Sequence, residues 1–243
     1  MKFWQGYIDS SEAEHLKAHK YSGSDEGFAY VFFYNPVANW LVQFLPDTLA
    51  PNTLTVLGFA HTLIPLVVMF TCFGPELYGD VPNWFCFFQA WCFFAYRMLD
   101  EMDGKQARRT QNSSPLGLIF DHGCDSFSMG FQAMIMGRIF QIGDNQLMSA
   151  FLVTTYGGFH FATLEEYYVG TLRLPPLNAV SDGSVIVILM CLVTGCIGNN
   201  FWATQTKINS SWLGFNGVPE TFNIGQFLIL LIMIGAVITF VAK

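Results

Sequence analysis

The stretch LDEMDGKQARRTQNSSPLGLIFDHGCDS, Leu99 to Ser126, joins two apolar runs, Trp84 to Leu99 and Leu116 to Phe140. Runs of this character approach the roughly 20 residues that cross a bilayer as a helix. The stretch therefore reads as the turn of a helical hairpin at a membrane surface. Lys105, Arg108 and Arg109 crowd it, whereas the connection ahead of Trp84 carries only Glu76 and Asp80. Basic connections mark the cytosolic side, so the hairpin is expected to face the cytosol.

Working outward, further apolar runs extend from Leu54 to Phe73, Leu147 to Leu164, Val185 to Ile197 and Phe227 to Val241. An even number of spans returns both ends of the chain to one side. Of the 243 residues, 52% are hydrophobic and 12% charged, and mean hydropathy is +0.39. Soluble domains carry about twice that charge fraction. The net charge of -7 and the lack of a basic stripe with interleaved aromatics exclude a nucleic-acid surface. The six cysteines lie in or beside apolar stretches with no CxxC pair, as small fillers do. Residues up to Gly27 are polar and mixed in charge, unlike a cleaved signal peptide, and read as a cytosolic lead-in. Beyond them Pro36 opens a helical pattern of Val37, Trp40, Leu41 and Phe44, suited to lying on the membrane surface. The expected fold is an all-α integral membrane protein of about six transmembrane helices preceded by an N-terminal amphipathic interfacial helix. Residues 1–49 form the lead-in and interfacial helix, and residues 50–243 the transmembrane domain.

Within the hairpin, Asp100 and Asp103 are three residues apart and Asp121 and Asp125 four apart. Each spacing puts two side chains on one helix face. Because both pairs flank one connection, four carboxylates can converge just inside the membrane surface. Four close anions repel one another unless cations sit among them. Hard oxygen ligands select Mg2+, Mn2+ or Ca2+, and two such ions suit an in-line displacement at phosphorus. Gly104 and Gly117 leave room for close approach of a backbone or a nucleotide, and Arg108 offers a forked donor for phosphate. Alone, Asp100 with Asp103 reads as an ordinary solvated helix end. Asp121 and Asp125 interrupt an apolar span, where ionisable residues are costly and mark function. A cation transporter would place such acids near mid-bilayer rather than at one face.

The pattern Asp100-x-x-Asp103-Gly104-x-x-Ala107-Arg108, an eight-residue gap, then Gly117-x-x-x-Asp121-x-x-x-Asp125, resembles the signature of the CDP-alcohol phosphotransferases. DGKQARRT (Asp103 to Thr110), SSPLG (Ser113 to Gly117), FDHGCDS (Phe120 to Ser126), HKYSGSD near the N-terminus, APNTLT (Ala50 to Thr55) and EEYYVGTLRLP (Glu165 to Pro175) are similar to its eukaryotic choline/ethanolamine phosphotransferase branch. The resemblance implies two metal ions on the four aspartates, Mg2+ with Mn2+ as a substitute. It also implies cytidine and phosphate contacts at Asn52, Gly104, Ala107, Arg108 and Gly117. The implied reaction moves phosphoethanolamine or phosphocholine from CDP-ethanolamine or CDP-choline to diacylglycerol and releases CMP. Transfer to another acceptor such as inositol fits the branch motifs less well. The implied setting is the endoplasmic reticulum or Golgi membrane, with the site facing the cytosol, and the implied assembly a homodimer. Two departures stand out. Leu118 occupies a position where the branch carries Glu. The branch also has more spans than this chain, which implies a shortened isoform or fragment, active or regulatory.

His122 follows Asp121 directly and points about 100° around the helix from it. An imidazole takes up protons near neutral pH, so His122 is the candidate general base. Glu165 and Glu166 read either as solvated helix-end charges or as contacts for a cationic head group. His15, His19, His61 and His160 have no comparable setting. Asn112 and Asn209 are both sequons, and the expected topology puts Asn112 in the cytosol and Asn209 in the lumen, where it alone can be glycosylated.

Overall fold

The structure is a computed structural model that describes residues 9, 11, 14, 22–209 and 221–241. His15, His19, most of the polar lead-in and the serines of the Asn209 sequon lie outside the described residues. All six apolar runs lie in helices. Helix α1 (Asn35–Leu41) is followed by α2 (Pro51–Phe73), α3 (Asn83–Arg109), α4 (Pro115–Ile139), α5 (Gln146–Val169), α6 (Ser181–Ile197) and α7 (Ile224–Val241). The starts are set locally. Pro51 and Pro115 open α2 and α4 with φ already helical and no amide to satisfy. Ser114 Oγ accepts from Gly117 N at 3.0 Å, and Asn145 Oδ1 accepts from Leu147 N and Met148 N. Both caps satisfy amides that the first helical turn leaves free.

Helix α2 packs against both α3 and α4, and α6 packs on α3. Phe85, Ile135, Ile139, Cys86 and Cys191 are fully buried in the main core. A second apolar cluster of Tyr34, Ala38, Leu54, Met98 and Met102 seats α1 on the other end of α3. Polar side chains pair across the interior. Thr62 of α2 meets Ser128 of α4 at 2.9 Å, and Gln89 of α3 donates to Gln132 of α4. In α5 only the first-turn residues Leu147 and Met148 are fully buried. Short strands add two ladders. Strands β1 (Gly23–Asp25) and β2 (Leu172–Leu174) pair in parallel, and β3 (Gln205–Asn209) pairs antiparallel with β4 (Thr221–Asn223).

Two boundaries differ from the sequence expectation. The first helix does not open at Pro36. Helical structure begins at Phe28, passes through a π turn at Tyr30–Tyr34 and continues to Phe44. The widened turn accommodates Pro36, which has no amide to give to the ladder. Ala38 and Val42 face inward while Trp40 and Phe44 stay exposed. Helix α3 also runs ten residues past Leu99, so Asp100 and Asp103 lie inside a helix and not at a solvated end. Asp103 is buried, and so are Lys105 and Gln106 beside it. Gln106 Nε2 donates to the carbonyls of Pro46 and Leu49. Arg109 donates to the carbonyls of Val42 and Leu45 and pairs with Asp47. These contacts tie the charged end of α3 to the segment leading into α2.

Among the described residues, one helix, Pro51–Phe73, is long and apolar enough to cross a membrane by length and composition, and Ser181–Ile197 and Ile224–Ile238 are shorter apolar helices. Helices α3 and α4 have 27 and 25 residues, which at 1.5 Å per residue exceeds a hydrocarbon core of about 30 Å. Their mean hydropathy is lowered by the ionisable residues at the end they share.

Candidate active site

The N-terminal end of α2, the C-terminal half of α3, the N-terminal half of α4 and the C-terminal half of α5 meet around a cleft of about 670 Å³. The ten residues assigned to metal, nucleotide or proton transfer line it: Asp100, Asp103, Asp121, Asp125, Asn52, Gly104, Ala107, Arg108, Gly117 and His122. Asp100 from α3 and Asp121 and Asp125 from α4 each bring an oxygen within 4.8 Å of the others. Asp103 sits one turn further along α3. Its Oδ2 accepts from Thr55 Oγ1 at 2.5 Å, and its charge lies within electrostatic reach of Asp121 and Asp125.

Donors reach three of the four carboxylates. Asp100 Oδ2 accepts from Arg97 Nη1 at 2.5 Å, Asp103 from Thr55, and Asp125 Oδ1 from the Tyr96 hydroxyl at 2.6 Å. Asp121 Oδ1 is buried with no partner. An orphaned carboxylate oxygen beside three other acids is expensive in isolation. A divalent cation answers the electrostatic problem, and the donor set, all carboxylate oxygens with open space beside them, has the chemistry that Mg2+ or Mn2+ requires. The site fits such ions.

Arg97 is 5% exposed. It also pairs with Glu101 at 3.0 Å, and Glu101 with Lys105 at 3.6 Å. The guanidinium lies 5.6 Å from the centre of the Tyr34 ring, and the Lys105 ammonium 5.5 Å from that of Tyr30. At the rim, burial and then the Glu101 and Asp25 carboxylates push the Tyr30 phenol above its ordinary range against the pull of Arg108. The phenol therefore remains a neutral hydrogen-bonding group there. Gly117 is close to Asn52: a Cβ on Gly117 would lie 3.5 Å from Asn52 Oδ1 and 3.3 Å from Ser114 Oγ. A side chain there would crowd the corner between α2 and α4. The His122 ring stands edge-on to Phe159 of α5, with centroids 6.2 Å apart. Leu118 lines the same wall and brings no charge to it.

The remaining wall comes from far along the chain. Ser22 to Asp25, Leu172 and Leu174 line the cleft through the β1–β2 ladder. Asp25 accepts from Asn178 Nδ2 at 2.8 Å and from Ser181 Oγ, and Asp182 Oδ1 accepts from Ala29 N at 2.8 Å. Glu165 and Glu166 are not among the residues of the cleft wall.

Sequence reasoning missed Thr55, Tyr96, Arg97 and Glu101. Arg97 had a legible signal, a lone cation inside an apolar run. Thr55 and Tyr96 had none, because a hydroxyl or a phenol in such a run is unremarkable until its neighbour is known.

A sequence model of the CDP-alcohol phosphatidyltransferase family matches residues 48–242. The chain is 35% identical over 208 residues to a CDP-alcohol phosphatidyltransferase class-I family protein of Dictyostelium discoideum, covering 85% of this chain and 52% of that one. It is 33% identical over 219 residues to choline/ethanolaminephosphotransferase 1 of Arabidopsis thaliana, covering 89% and 56%. Against cholinephosphotransferase 1 of Danio rerio it is 34% identical over 207 residues, covering 83% and 52%. The chain belongs to the CDP-alcohol phosphatidyltransferase family, whose members are membrane-bound, divalent-metal-dependent transferases of phospholipid biosynthesis. It spans about half the length of the curated relatives it matches.

Proposed function

We propose that this chain transfers phosphoethanolamine or phosphocholine from CDP-ethanolamine or CDP-choline to diacylglycerol, forming phosphatidylethanolamine or phosphatidylcholine and releasing CMP. One observation carries the reading. Four aspartates from two helices line a single cleft, one with an unpartnered buried oxygen, together with the glycines, Asn52 and Arg108. The names of the relatives from Arabidopsis and Danio support the choice of head group.

In this reading Asp100, Asp103, Asp121 and Asp125 hold two divalent ions, Mg2+ or Mn2+. When bound, such ions neutralise the pyrophosphate and the charge that builds on it during transfer. Asn52, Gly104, Ala107 and Gly117 admit the cytidine and phosphates against the backbone, and Arg108 forks onto a phosphate. The diacylglycerol hydroxyl oxygen attacks the phosphorus that carries the head-group alcohol. The bond from that phosphorus to the bridging oxygen breaks, and the electron pair leaves with CMP. His122 takes the hydroxyl proton as the new P–O bond forms. Phe159 restricts the imidazole on one side, which favours an orientation toward the cleft. Holding both substrates in line supplies much of the acceleration.

We further propose six membrane spans, α2 to α7, with residues 1–49 as lead-in and interfacial helix and 50–243 as the transmembrane domain. The exposed Trp40 of α1 and Phe44 of the turn that follows it suit this face to a membrane surface. The cleft then opens to the cytosol from the endoplasmic reticulum or Golgi membrane, with a homodimer as the assembly. Asn112 lines the cleft, and β3, which ends at Asn209, joins the start of α7 through β4 at the opposite end. A glycan on Asn209 alone supports this orientation, and a glycan on Asn112 reverses it.

The deciding experiment reconstitutes the chain in proteoliposomes with diacylglycerol, Mg2+ and either CDP-alcohol. CMP release with matching phospholipid formation, abolished by EDTA, is the expected result. Absence of both products from both donors refutes the reading.

A further inference from the structure

Building on that reading, we propose that Thr55 and Tyr96 are positioning residues for the metal site, each holding one oxygen of a ligand aspartate. The two contacts are alike in design. Thr55 Oγ1 on α2 donates to Asp103 Oδ2 on α3 at 2.5 Å, and the Tyr96 hydroxyl on α3 donates to Asp125 Oδ1 on α4 at 2.6 Å. Both donors are buried, 6% and 8% exposed. Each contact crosses from one helix to another, so the placement of α2, α3 and α4 is converted into the orientation of a carboxylate.

A hydroxyl gives one proton, so it commits one carboxylate oxygen and fixes the side-chain torsions without neutralising the group. The hydroxyl itself leaves the second oxygen uncommitted. Such outer partners orient metal ligands, and losing one commonly costs ten- to a hundredfold in metal affinity or activity. Asp100 is held differently, by the Arg97 guanidinium of its own helix, which brings a counter-charge as well as a donor. Asp121 is the exception, with an oxygen that meets no donor. The cleft thus combines three carboxylates held by donors with a fourth, Asp121, that meets Asp103 and keeps one oxygen without a donor.

The test deletes single hydroxyls with little change of shape. Thr55→Val and Tyr96→Phe are compared with wild type and with Thr62→Val, which removes the Thr62–Ser128 contact deeper between α2 and α4 and touches nothing in the cleft. Chains in nanodiscs are titrated with Mn2+ and the free ion is followed by electron paramagnetic resonance, with thermal unfolding recorded in parallel. The Mn2+ dissociation constant should rise about tenfold or more in Thr55→Val and Tyr96→Phe. It should stay within twofold of wild type in Thr62→Val, and Thr55→Ser should restore most of the loss. If Thr55→Val and Tyr96→Phe bind Mn2+ as wild type does, the positioning roles are refuted while the metal site stands. The same holds if Thr62→Val weakens binding equally, since helix packing alone then explains the loss. If wild type binds no Mn2+, the metal reading itself fails and the positioning roles fall with it.

Discussion

The two ends of the helix bundle are both rich in polar side chains, and they use them in opposite ways. At the end away from the cleft, Arg138 donates to the carbonyls of Glu76 and Phe73 at 2.6 and 2.8 Å. Gln141 spans the Gly79 backbone, accepting from its amide and donating to its carbonyl. Asn223 and Gln226 donate to the carbonyls of Gln141 and Ile142. Side-chain donors there meet the orphan carbonyls of helix ends and loops, as a structural network should. At the cleft end, four acids gather and Asp121 keeps an oxygen with no partner. Arg138 Nε is also buried without a partner, so an orphaned atom alone does not separate the two ends; what sets the cleft end apart is like charge gathered in one place, which a bound cation would offset.

That contrast can be broken most severely at the acids. Asp121→Asn, and likewise Asp100→Asn, Asp103→Asn or Asp125→Asn, should lower transfer about a thousandfold or more, since lost ligands to phosphoryl-transfer ions cost several kcal/mol. For Asp121→Asn thermal unfolding should be unchanged or improved, because one of four repelling charges is gone and no donor loses its acceptor. Arg138→Met should do the reverse. Loss of its charged hydrogen bonds should cost about 3 kcal/mol of stability, with turnover per folded molecule preserved. Chemical unfolding beside an assay corrected for folded fraction checks both halves.

Finer changes within the cleft sharpen the comparison. His122→Gln should bind metal and CDP-alcohol normally and turn over about a hundredfold more slowly. Normal turnover would transfer the proton's destination to Asp125 or to water. Arg108→Lys is expected to have the smallest effect, about tenfold in kcat/KM, because an ammonium keeps the charge and loses the fork. Steady-state kinetics over a range of CDP-alcohol concentrations resolves it.

The helices and the cleft end were legible in the sequence, whereas the polar network of the far end was not. The apolar runs located α2 to α7, and the Asp spacing located the cleft, because both signals are local and periodic. What escaped was non-local. The β1–β2 ladder joins Gly23 to Leu172, and no residue in either strand announces its partner. The donors on Asp103 and Asp125 come from neighbouring helices, so the roles of Thr55 and Tyr96 exist only in the packed state. Helix α3 overran its expected end because its last turns are polar. They are held by Gln106 and Arg109 on the carbonyls ahead of α2, a contact that hydropathy does not register.

The central claim is that the cleft end is built around bound cations and the far end around its own hydrogen bonds. Counting Mn2+ ions bound per chain by electron paramagnetic resonance tests it directly in wild type, Asp121→Asn and Arg138→Met. The account predicts two ions in wild type, two in the folded fraction of Arg138→Met, and one or none in Asp121→Asn. Equal binding by Asp121→Asn and wild type, or no binding by wild type, would contradict it.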